Sequence, residues 1–75
     1  MNAFAFAITR ALAPTPCAVD AFCSETDTHC VAFVDVAPAM VSAALATLTA
    51  TFAGATCDGD VITTGAGFRI YVQGA

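Results

Sequence analysis

The chain has no lysine and no tryptophan, and its only cations are Arg10 and Arg69. Nucleic-acid binding needs clustered Lys and Arg to neutralise phosphates. Two isolated arginines set against six acids, a net charge of −4, exclude that class. Charge of either sign is scarce, at 11% of residues against a usual share of about 25%. Intrinsic disorder is excluded as well, because its signature is low hydrophobicity with high net charge, whereas 59% of this chain is hydrophobic. Catalytic signatures are also missing: no glycine-rich phosphate loop follows a strand, and no paired-carboxylate or serine-nucleophile pattern is present. At 75 residues the chain is one small domain, 1–75. A domain of this size buries only about 60% of its unfolded surface. That argues against a multidomain enzyme, a large cleft or a two-lobed site.

What the chain does have in abundance is alanine, followed by threonine. Bulky core-formers are therefore fewer than the hydrophobic share suggests. A soluble monomer is best served by a surface with roughly 25–35% charged side chains. The few charges, mostly in two loop regions, do not cover a chain of this length in that way. The composition points to faces covered by other protein.

Residues 3–12, Ala-Phe-Ala-Phe-Ala-Ile-Thr-Arg-Ala-Leu, alternate bulky and small side chains, a period of two that predicts a strand. A secretory leader fits poorly, since no basic residue precedes the apolar stretch and Arg10 interrupts it. Pro14 and Pro16 end this element, and residues 13–29 read as one long loop holding three of the six acids, Cys17, Cys23 and His29. Residues 30–36 read as a second strand, with Val31, Phe33 and Asp35 on one face. Pro38 suits the first turn of a helix. From Met40 to Ala53 the period becomes 3.6, with Met40, Val41, Ala44, Leu45, Leu48 and Phe52 on one arc and no charge on the other. Gly54 is a helix stop, and Asp58-Gly59-Asp60 is a turn. Residues 61–64 and 68–73 flank Gly65-Ala66-Gly67 as a hairpin, with Phe68, Ile70 and Val72 inward and Arg69, Tyr71 and Gln73 outward. The expected fold is α+β: a small antiparallel four-stranded sheet, β-loop-β-α-β-β, with one helix packed on a face.

Residues 36–57 carry no charge and are long enough to span a bilayer. Their amphipathic period, Pro38, the threonines and the lack of flanking cations argue against a membrane span. The four cysteines, Cys17, Cys23, Cys30 and Cys57, are too widely spaced for a zinc site. They suit disulfides, paired Cys17–Cys23 and Cys30–Cys57, or else buried free thiols. His29 next to Cys30 does not make a thiol catalyst, since strand neighbours point to opposite faces. No metal, no cofactor and no enzymatic activity are expected.

In size and character the chain resembles the small proteins that decorate tailed-phage capsids, although no motif carries residue roles over. The expectation is a non-enzymatic structural protein of a virion, binding itself, a major coat protein or both. The interface residues would be Phe4, Phe6 and Ile8 on the first strand, Ala43, Ala46 and Ala50 on the flat helix face, and Tyr71. The alternative is a small acidic module or inhibitor that blocks a partner protein.

Overall fold

The computed structural model describes residues 2–75. It is an α+β domain with two helices and a five-stranded mixed sheet. In chain order the elements are α1 (Ala3–Leu12), β1 (Cys17–Cys23), β2 (Cys30–Val36), a 3-10 turn (Pro38–Met40), α2 (Val41–Thr51), β3 (Thr56–Asp58), β4 (Val61–Thr63) and β5 (Arg69–Gly74). The strand order is β1-β2-β5-β4-β3.

Residues 3–12 are a helix rather than the expected strand. The period-two set contains Phe4, Ile8 and Leu12, whose spacing of four also lines one helix face. Alanine, the best helix former, fills most of the remaining positions. The start is fixed by Asn2, whose side-chain oxygen accepts the Ala5 N–H at 2.7 Å. Its amide nitrogen donates to the Ala21 carbonyl, fastening the start of α1 to β1.

The expected long loop contains β1, an edge strand whose accessibility alternates along Cys-Ala-Val-Asp-Ala-Phe-Cys. It pairs antiparallel with β2 from Cys17↔Val36 to Cys23↔Cys30. Residues 24–29 close the hairpin around Ser24, whose hydroxyl accepts the N–H groups of Thr28 and His29.

β2 and β5 run parallel, which replaces the expected all-antiparallel sheet. Helix α2 carries the chain back across the sheet to the end where β2 began. The β3–β4 hairpin reverses it twice more, so β5 enters in the direction of β2. The expected β4–β5 hairpin is present, and the Asp58–Asp60 turn joins β3 to β4.

Both helices pack on one face. Phe4, Ile8 and Leu12 of α1 and Ala44 and Leu48 of α2 meet Ala32, Val34, Val36, Ile62, Ile70 and Val72 of the sheet in one core. Around it lie Met40, Val41, Leu45 and Phe52, as the 3.6 period implies.

Gly65 approaches the end of α2 closely, donating its N–H to the Ala53 carbonyl at 2.9 Å. A Cβ there would lie 2.6 Å from the same oxygen. Gly65→Ala should therefore cost about 1–3 kcal/mol by overpacking. A urea midpoint equal to that of the parent chain would refute this account of the contact.

Candidate interaction face and cleft

With both helices on one side, the other side of the sheet is bare among the described residues. The strand registers place three cross-strand rows on it. The first is Phe22, Val31, Arg69, Thr63 and Thr56; the second is Asp20, Phe33, Tyr71, Val61 and Asp58; the third is Ala18, Asp35 and Gln73. The Phe33 and Tyr71 rings stack with centroids 5.4 Å apart, and Phe22 meets Phe33 edge-on at 6.4 Å. Phe22 is 61% exposed and Phe33 43%. Asp35 accepts a hydrogen bond from the Gln73 amide at 2.6 Å. Exposed aromatics gathered on one uncovered face are characteristic of protein docking sites rather than of scattered surface hydrophobics.

The expected interface residues fall in three groups. Phe4 and Ile8 are buried in the core, so their assignment to an interface is corrected. A strand would turn both outward together with Phe6; the helix turns Phe4 and Ile8 inward and leaves Phe6 56% exposed. Ala43, Ala46 and Ala50 lie exposed on the outer side of α2, remote from the bare sheet face. Tyr71 lies on that face, half-buried against Phe33. Phe22 and Phe33 are additions to the expected set. Phe33 is legible from the alternation of residues 30–36, and Phe22 from the period of two in residues 17–23.

A second feature is a cleft of about 690 Å³ between the start of α1, the chain after α2 and the β4–β5 turn. This is larger than the chain length alone implies. Phe4, Phe52 and Phe68 line it; the Phe4 ring meets the other two edge-on at 5.8 and 5.2 Å. Its far wall is the Cys23–Cys30 disulfide with Asp27.

That disulfide corrects the expected pairing of Cys17 with Cys23 and Cys30 with Cys57. Cys23 and Cys30 are directly opposite in the β1–β2 ladder, with Cα atoms 4.1 Å apart. Cys17 lies at the other end of β1 opposite Val36, and Cys57 is on β3 at the far edge of the sheet. Both are free thiols. The side-chain ligand atoms of Cys23, Asp27 and Cys30 lie within 4.8 Å of one another, but the two sulfurs are bonded to each other and offer no free thiolate. His29 is exposed, with its Nδ1 3.1 Å from the Thr28 hydroxyl.

Cross-linking a loop this short should stabilise the fold by roughly 2 kcal/mol through the entropy of the unfolded chain. The double change Cys23→Ser/Cys30→Ser should lower the urea midpoint accordingly, and reductant should then have no further effect. A midpoint that does not move would show that the hairpin needs no staple.

These features define a small α+β domain with both helices on one side of the sheet and an exposed aromatic face on the other. No helix among the described residues is long and apolar enough to cross a membrane. Comparison with protein-family models, with curated proteins and with solved structures finds no match to this chain.

Proposed function

We propose that this chain is a non-enzymatic structural protein of a large assembly, a small virion accessory protein that binds and cements a capsid lattice. The observation that supports this reading best is the bare sheet face with Phe22, Phe33 and Tyr71 clustered on it. A cementing protein works by burying area against repeated copies of a partner, and needs anchors rather than catalytic groups. Large aromatic side chains are such anchors, because they bury much surface and lose little entropy on ordering. The sparse charge of the chain suits a protein whose faces are covered in its working state. The exposed alanines of α2 offer a second, flatter surface for a neighbouring subunit.

The test is quantitative mass spectrometry of virus particles purified from the source of the chain, with and without the double change Phe33→Ser/Tyr71→Ser. The parent chain should co-purify in a fixed ratio to the coat subunit, and the variant should be lost from the particles. Absence of the parent chain from purified particles would overturn the virion reading. Undiminished incorporation of the variant would overturn the role of the sheet face. The rival inhibitor reading expects the chain free of particles, bound to one partner through its acidic loop in a manner that weakens with salt.

A further inference from the structure

We propose that the bare sheet face pairs with the same face of a second copy of this chain, about a two-fold axis at right angles to the strands through the row Asp20, Phe33, Tyr71, Val61 and Asp58. This pairing rests on the docking-face reading above and names the partner. Such an axis lies in the interface and turns one sheet over onto the other. Each strand then faces its own copy with the direction reversed, and the first and third rows exchange. Phe33 and Tyr71 meet their own copies at the centre. Phe22, the most exposed aromatic, comes over Ala18 of the second copy, a large side chain over a small one. Arg69 comes over Gln73 of the second copy, beside Asp35, the carboxylate to which Gln73 already donates.

The charge pattern selects this axis. Arg69 is the one cation among the described residues of the face, and Asp35 lies one row from the centre on the opposite side. Reversing the rows therefore brings each arginine next to an acid, twice per pair. A two-fold axis along the strands would exchange β2 with β5 instead. Arg69 would then lie over Val31, with no acid beside it. Asp20 and Asp58 meet their own copies only at the β1 and β3 edges, where the rotation of about 30° between packed sheets separates the strands and solvent screens the charges. A two-fold interface is self-complementary by necessity. On this face Phe22 lies over Ala18 and Arg69 beside Asp35, each twice per pair.

A charge exchange tests the pairing. The parent chain should scatter light as two chains at tens of micromolar. Arg69→Asp puts acid against acid across the axis, and Asp35→Arg puts cation against cation. Each variant alone should be a folded monomer, with self-association weakened at least tenfold. Mixed in equal amounts they should form a heterodimer, because each foreign charge then faces its opposite. Folding is checked by circular dichroism, since both positions lie on the bare face outside the core. A monomeric parent chain, dimeric single variants or a mixture that fails to pair would each overturn the inference. Those outcomes leave the docking-face reading intact, because it is tested separately by incorporation of the Phe33→Ser/Tyr71→Ser variant into particles.

Discussion

Ile8→Ala should lower the unfolding free energy by about 2–5 kcal/mol, the range for truncating a fully buried aliphatic side chain. Ile8 is at 0% exposure in the middle of α1, the element that closes one end of the core. Its neighbours at the same spacing, Phe4 and Leu12, are also buried, so the cavity would open where α1 meets the sheet. A chain of this length has a total stability of roughly 4–11 kcal/mol. The substitution should therefore remove a large part of it and, at the lower end, leave a substantial unfolded population. Urea unfolding followed by circular dichroism measures this directly. The same change at Phe6, which is exposed on the other side of α1, should cost under about 1 kcal/mol. Equal losses at positions 6 and 8 would contradict the helix, because a strand of this period puts both on one face.

The second large effect concerns association rather than stability. Phe33→Ser/Tyr71→Ser removes the stacked pair at the centre of the bare face. Truncating an interface anchor typically costs about 2 kcal/mol, and often more. Two such losses should weaken docking by at least a hundredfold, since about 1.4 kcal/mol corresponds to a factor of ten. The isolated chain should lose only about 1 kcal/mol of stability, as is usual for changes outside a core. Phe33 stacks on Tyr71 and meets Phe22 edge-on, and neither ring belongs to the core on the opposite side of the sheet. Separating these two readouts distinguishes a docking face from a structural one. A variant that unfolds while its association with any partner is unchanged would reverse the assignment.

From residue 30 onward the periods are unambiguous, and the elements they imply are largely those of the fold. Val31, Phe33 and Asp35 alternate with core residues. Met40 to Phe52 repeats at 3.6, and the glycines at 65 and 67 break the chain between two strands. Before residue 30 the pattern misleads, because small side chains blur the distinction between periods. In residues 3–12, spacings of two and of four coincide at Phe4, Ile8 and Leu12. What decides there is Asn2 as a cap and the helix preference of alanine. In residues 17–23 the alternation of Cys17, Val19, Ala21 and Cys23 is present, but the prolines before it and the acids around it resemble a loop.

By itself, the sequence determined the α+β class, the lack of a basic surface, a helix within residues 40–53 and the terminal hairpin. These follow from composition and from local periods, which neighbouring residues carry without reference to the rest of the chain. Only the tertiary structure decided the parallel pairing of β2 with β5, the choice of Cys23 with Cys30, and the gathering of Phe22, Phe33 and Tyr71 on one face. Each joins residues from different elements. Register and strand order place them together, and no local pattern records either.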